Sequence, residues 1–120
     1  MKSIKFFTFA VLFMLANSAI SDEVWIQDVK MLKKGDSWHF NVTLKHADTG
    51  WEHYADAWRV VLKDGTVLGT RTLYHPHVDE QPFTRGLSGV KIPKETREVF
   101  VEAHDKVHGW SKQRYKMKMP

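Results

Sequence analysis

Apolar and polar residues alternate along most of the chain, with the period of two that is expected of β-strands. The pattern is clearest in residues 38–46, where Phe40, Val42 and Leu44 alternate with polar residues. Because alternate side chains of a strand point to the same face, this segment predicts a strand with one buried face. No stretch of twelve or more residues shows the apolar period of a helix.

Turn residues divide the chain at regular intervals, and the clearest of these turns is Asp64-Gly65 between two β-branched runs. The segments between turns are residues 24–32, 38–46, 54–62, 66–75, 82–92, 97–104 and 113–119. Short strands at this spacing predict an all-β fold, a single immunoglobulin-like antiparallel sandwich of about seven strands. A small barrel is the alternative.

The first residues have the layout of a signal peptide. Lys2 and Lys5 precede an apolar run over residues 6–15, and the small residues Ala19 and Ser21 precede Asp22. We therefore expect a signal peptide over residues 1–21, a sandwich domain over residues 22–120, and a periplasmic or secreted location. The alternative, a membrane-spanning anchor, is disfavoured by the short apolar run. Without cysteine the chain has no residue to carry a lipid anchor, so no stable membrane anchor is expected.

Charge and cysteine content narrow the function classes. Loss of Lys2 and Lys5 with the signal peptide lowers the formal net charge from +4 to +2. No basic run with interleaved aromatic residues occurs before the C-terminal tail, so nucleic acid is not an expected partner. The absence of cysteine excludes disulfide bonds and thiolate metal sites.

Histidine is the unusual residue of this composition, since all seven histidines follow residue 21. In an antiparallel sandwich, successive connections alternate between the two ends of the domain. The connections after the second, fourth and sixth segments therefore share one end, and each carries two histidines. These histidines are His46 and His53, His75 and His77, and His104 and His108. His39 lies elsewhere, on the polar face of the second segment.

Converging imidazoles predict a metal site, because neutral imidazole is the commonest metal ligand in proteins and suits copper and zinc. His75-Pro76-His77 would direct both rings to one side of an extended segment. Asp56 is the favoured carboxylate, because it lies inside a strand between two alanines. The predicted ligands are His46, His53, His75, His77, His104, His108 and Asp56. Further candidate carboxylates are Asp48, Glu52, Asp79, Glu80 and Asp105, each of which also suits a solvated loop.

Function follows from these candidates in two ways. The first is a metal-binding protein that sequesters or transfers a copper or zinc ion, with copper preferred. The second is a non-enzymatic interaction module, in which clustered imidazoles make the binding of another periplasmic protein sensitive to pH. Catalysis is not expected, since there is no cysteine and Ser88 and Ser111 lie outside any nucleophile motif.

The stretches HADTGWEHYADAW, DGTVLGTRTLYHPHVDEQPFTR and HDKVHGW resemble a family of small secreted bacterial proteins with no established activity. This resemblance implies export and a compact β-rich domain, and it assigns no functional residue. The plan is also similar to that of periplasmic copper chaperones and copper-resistance proteins, which place ligands on the loops of small sandwiches. The chain lacks their methionine-rich ligand motifs, so the resemblance leaves Cu(II) or Zn(II) open.

Overall fold

A computed structural model describes residues 23–120, which form two antiparallel β-sheets packed as a sandwich. The predicted signal peptide, residues 1–21, lies outside the described residues. The strands are β1 (Trp25–Lys34), β2 (Ser37–Lys45), β3 (Ala55–Val61), β4 (Val67–Thr72), β5 (Phe83–Val90), β6 (Glu98–Asp105), β7 (Gly109–Trp110) and β8 (Tyr115–Lys118). Residues 23–120 include no helix that is long and apolar enough to cross a membrane.

The smaller sheet has the order β1-β2-β5, and the larger has the order β4-β3-β6 with β7 and β8 both paired to β6. The prediction of an all-β antiparallel sandwich is confirmed, and all seven predicted strands are present. The additional strand β7 lies within the predicted connection between the sixth and seventh segments. A strand of two residues is too short to show an alternating pattern, so it could not be predicted from the sequence.

The inward faces of the two sheets form one core. Trp58 of β3 and Phe40 of β2 are completely buried, and Phe83 of β5 is 2% exposed. Burying one large apolar side chain contributes about 1.5–3 kcal/mol. In this chain without disulfides, such packing is the main source of stability.

The predicted turn between the third and fourth segments is also confirmed. The turn at Asp64-Gly65 closes with hydrogen bonds from Leu62 N–H to the Thr66 carbonyl and from Gly65 N–H to the Leu62 carbonyl, both 2.9 Å. Gly65 has φ 93°, a left-handed conformation that favours glycine. In β5 the pairing with β2 shifts between Leu87 and Val90, which is a bulge at the glycine-containing stretch.

The connections that follow β2, β4 and β6 meet at one end of the sandwich. The backbone N–H of His77, after β4, donates to the side chain of Asp48, after β2. The backbone N–H of Lys106, after β6, donates to the carbonyl of Tyr54 at 3.2 Å. The predicted convergence of these three connections is therefore correct.

Candidate metal centre

Asp105 is a fully buried carboxylate at this end of the sandwich. Val99, Val101 and Ala103 point inward from β6, and the alternation brings Asp105 inward as the last residue of the strand. Its side chain has no exposed surface. The alternating apolar residues of β6 could have indicated that Asp105 points inward. The sequence-based prediction instead favoured Asp56 as the carboxylate ligand.

The two oxygens of Asp105 have different surroundings. Oδ1 accepts hydrogen bonds from the backbone N–H groups of Val107 at 2.8 Å and His108 at 2.7 Å. Nδ1 of His108 lies 3.1 Å from the same oxygen and donates to it. Oδ2 is buried and has no hydrogen-bond partner. Burial raises the pKa of Asp105, but the hydrogen bonds from His108 and Val107 outweigh burial and hold the pKa below its usual range.

Two histidines from the β2–β3 connection lie beside this carboxylate. His46, His53 and Asp105 each offer one ligand atom, and these three atoms lie within 4.8 Å of one another. We call these three residues the interior group. Nε2 of His53 is 3.4 Å from Oδ1 of Asp105, yet it is buried without a hydrogen-bond partner.

The spacing of the interior group is close to that of a coordination shell. Metal–nitrogen bonds of about 2 Å place two ligand atoms of a tetrahedral ion about 3.3 Å apart. The separation of 3.4 Å between Nε2 of His53 and Oδ1 of Asp105 is close to this value, and Oδ1 is the oxygen that also accepts the hydrogen bonds from Val107 and His108. The widest separation, up to 4.8 Å, would have to shorten by about 1.5 Å around an ion with such bonds.

Asp48 fixes the orientation of His46. Its Oδ1 lies 2.5 Å from Nδ1 of His46 and accepts the N–H of Ala55 at 3.0 Å, while Oδ2 accepts the N–H of His77 at 2.7 Å. Burial raises the pKa of Asp48, but the hydrogen bonds from His46, His77 and Ala55 outweigh burial and hold it below its usual range. Because this carboxylate accepts a hydrogen bond from Nδ1–H, the nitrogen without a proton in the neutral His46 ring is Nε2. A carboxylate that orients an imidazole in this way is a common neighbour of metal ligands.

His75 and His77 lie together at the edge of the same end, and we call them the rim pair. Their ring centroids are 4.6 Å apart. His75 is exposed, whereas His77 is 5% exposed and stacks on Phe83 at 3.9 Å. Both ring nitrogens of His77 are buried without a hydrogen-bond partner. Burial lowers the pKa of His77, and the positive charges of Arg85 and His75 lower it further.

His104 and Asp56 lie apart from the interior group. His104 belongs to β6, so its assignment to the following connection was wrong. Adjacent strand residues point to opposite faces, so His104 leaves the strand on the side opposite Asp105. Its Nδ1 lies 2.5 Å from Oδ1 of Asp56, and its ring packs edge-on against Trp110 at 4.8 Å. The structure therefore gives no support to a shared site that includes these two residues.

The remaining candidates also lie outside the interior group. His108 contacts it, since its ring centroid is 5.2 Å from that of His53. His39, as expected, lies elsewhere and contacts Ser88 and Asn41. Glu52, Asp79 and Glu80 are exposed, and Glu80 forms an ion pair with Arg85 at 3.1 Å.

Comparison with known proteins supports the fold and gives one sequence relative. No protein-family model matches the chain. The chain is 42% identical over 79 residues to a protein of Halomicrobium mukohataei named as a putative lipoprotein. This match covers 66% of the chain but only 38% of the relative's length. A crystal structure of a hypothetical protein from Pyrococcus horikoshii OT3 matches with a TM-score of 0.55 and 11% identity, over 88% of this chain and 99% of that one.

The structural match concerns the fold alone, because function cannot be transferred at this level of identity. Neither name refers to copper or to any other metal, so the similarity of plan to periplasmic copper proteins gains no support. The chain is thus an all-β sandwich with a sequence relative that is named as a putative lipoprotein.

Proposed function

We propose that this protein is an exported, non-enzymatic metal-binding protein whose ion is held by His46, His53 and Asp105. The supporting observation is that Oδ2 of Asp105 and Nε2 of His53 are both buried without a hydrogen-bond partner, and that these two residues and His46 each offer one ligand atom within 4.8 Å of the others. The proposal keeps two of the predicted histidines and adds a carboxylate that the sequence did not favour.

A bound cation accounts for these buried atoms. A carboxylate that is removed from water without full compensation destabilises a fold by several kcal/mol. The hydrogen bonds to Asp105 satisfy Oδ1, whereas Oδ2 has none. A divalent ion held by the interior group would supply positive charge beside Oδ2 of Asp105.

The donor set favours a borderline metal. Two imidazoles and one carboxylate suit Zn(II) and Cu(II), and the Irving–Williams order places Cu(II) above Zn(II) at equal geometry. The same three donors also occur in non-haem Fe(II) sites. We propose Cu(II) as the preferred ion, and sequestration or transfer of that ion as the role.

Export is part of the proposal. It rests on the predicted signal peptide at residues 1–21 and on the name of the Halomicrobium relative as a putative lipoprotein. An exported chain meets copper outside the cytoplasm, and a site without thiolates contains no cysteine that could be oxidised there.

The experiment is a competition titration of metal-stripped protein with Cu(II) and Zn(II), and with Fe(II) under anaerobic conditions. His53→Ala and Asp105→Asn each remove one member of the interior group, and His39→Ala removes a histidine far from it. We expect at least about a hundredfold loss of affinity at the tighter site in the first two variants. Wild-type affinity in both of these variants, with folding verified by circular dichroism, would refute the proposal.

A second candidate function is the pH-sensitive interaction module. Large apolar side chains are exposed on all three connections at this end, with Trp51 66%, Tyr74 77% and Val107 59% exposed. Isolated exposed apolar residues are ordinary, but several at one end of a domain favour a partner. Partner capture that survives a chelator and weakens in mild acid would support this function, whereas capture that requires the metal would support the first.

A further inference from the structure

Four of the histidines at this end form two separate groups. The interior group contains His46 and His53, and the rim pair contains His75 and His77. We propose that the rim pair is a second, separate metal site. It would bind Cu(II) or Zn(II) through two imidazoles and exchange its ion more readily than the interior group. This site goes beyond the proposed function and can be tested apart from it.

The surroundings of the His77 ring support this second site. Its side chain is 4% exposed, and neither nitrogen has a hydrogen-bond partner. Leaving a buried polar group unpaired costs about 1–3 kcal/mol. Stacking on Phe83 at 3.9 Å with an interplanar angle of 11° would be served equally well by phenylalanine. The unpaired nitrogens therefore indicate a ligand role at this position.

The spacing of the two rings also fits a shared ion. A metal–nitrogen bond of about 2 Å places each imidazole centroid about 3.2 Å from the ion, so two adjacent ligands have centroids about 4.5–5.2 Å apart. The centroids of His75 and His77 are 4.6 Å apart. The rings thus have the separation of two ligands of one ion before any ion binds.

The backbone of the rim pair is held in place by its neighbours. Pro76 restricts the chain between the two histidines. The N–H of His77 donates to Asp48 at 2.7 Å, and its carbonyl accepts from Nε2 of Gln81 at 2.9 Å. A site that is ordered before binding loses less conformational entropy when the ion arrives.

The solvent exposure of the rim pair would allow a bound ion to exchange. His75 is exposed to solvent and His77 is buried, so an ion can enter and leave from the His75 side. Two imidazoles supply fewer donors than the three residues of the interior group. We therefore expect weaker binding and faster release at the rim pair than at the interior group.

The test is a Cu(II) and Zn(II) titration of full-length mature protein by calorimetry, with stoichiometry and affinity measured together. His75→Ala changes an exposed side chain, and His77→Phe preserves the aromatic stack on Phe83 while removing both nitrogens. His39→Ala is the matched control for loss of one histidine. We expect wild type and control to bind two ions, and each rim variant to bind only the tighter one with its affinity changed less than about twofold.

The two proposals fail in different ways. Two bound ions in both rim variants would refute the rim site, as would a single wild-type ion that neither rim variant affects. A single wild-type ion that is lost both in rim variants and in Asp105→Asn would show one joint site and would also refute it. If Asp105→Asn and His53→Ala leave both ions bound, the interior group fails while the rim site stands. A chemical-shift change of the His75 and His77 ring protons in Zn(II)-loaded protein would locate the weaker ion directly.

Discussion

Oδ1 of Asp48 lies 2.5 Å from Nδ1 of His46, and both side chains are buried. The carboxylate fixes both the tautomer and the orientation of the imidazole. We predict that Asp48→Asn weakens metal binding at the interior group by about 10–100-fold, the usual effect of losing such a partner. Competition titration with a chelating dye measures the change.

The control for this substitution is Asp36→Asn, which makes the same chemical change at a carboxylate with a side-chain exposure of 89%. It should leave the affinity unchanged. Equal affinities in Asp48→Asn and wild type would contradict the orienting role of Asp48.

Binding at the interior group should stabilise the fold. A ligand at about a hundred times its dissociation constant adds about 2.7 kcal/mol to the free energy of unfolding. For a domain of this size, that corresponds to a rise in Tm of about 10–20 °C. We predict such a rise with Cu(II), its reversal by a chelator, and its loss in Asp105→Asn, all measured by thermal unfolding followed by circular dichroism. An equal rise in Asp105→Asn would assign the stabilisation to another site.

The metal-free protein should lose stability in mild acid because of His77. Its folded pKa lies below the ordinary value of 6.5, so between these two pKa values the unfolded chain binds a proton that the folded chain does not. The contribution of His77 to the free energy of unfolding is therefore complete above pH 6.5. It decreases as the pH falls toward the folded pKa. Urea unfolding in chelator between about pH 7.5 and about pH 5.5 measures the decrease.

His77→Phe removes this titration and should reduce the slope of stability against pH in that range. His39→Ala provides a comparison in which a different histidine is lost. A slope in His77→Phe that equals the wild-type slope would show that other groups control the acid response.

The core should act on stability independently of the metal. Phe40 is completely buried between the sheets, and Phe40→Ala should lower the free energy of unfolding by about 3–5 kcal/mol. Because the substitution lies outside the interior group, metal affinity of the folded fraction should not change. Urea denaturation measures the free energy of unfolding, and titration of the same samples measures the metal affinity. A large loss of affinity without unfolding would show that the core also controls metal binding.

The fold was predictable because each long strand carries its own alternating pattern. Residues 38–46 predict β2 from Phe40, Val42 and Leu44 alone, and Asp64-Gly65 predicts the hairpin between β3 and β4. The pairing partners were not predictable in the same way, since β5 crosses to the smaller sheet beside β2. Sheet membership depends on packing between distant segments, which a local pattern does not record.

The candidate site was predictable in part. Counting strands brought the histidine-containing connections to one end, because antiparallel pairing fixes the direction of every chain segment. It did not separate His104 from Asp105, because a difference of one residue at the end of β6 decides which face each side chain takes. The preference for Asp56 over Asp105 failed to consider the inward alternation of Val99, Val101 and Ala103.

The side chain of Gln81 links the β2–β3 connection to the β4–β5 connection. Its Oε1 accepts the backbone N–H of His46 at 3.0 Å, and its Nε2 donates to the carbonyl of His77 at 2.9 Å. The lengths of the β2–β3 and β4–β5 connections are therefore not independent variables. An insertion into either one must preserve the reach of a single glutamine, so a graft of new sequence onto this end has to replace both connections as a unit.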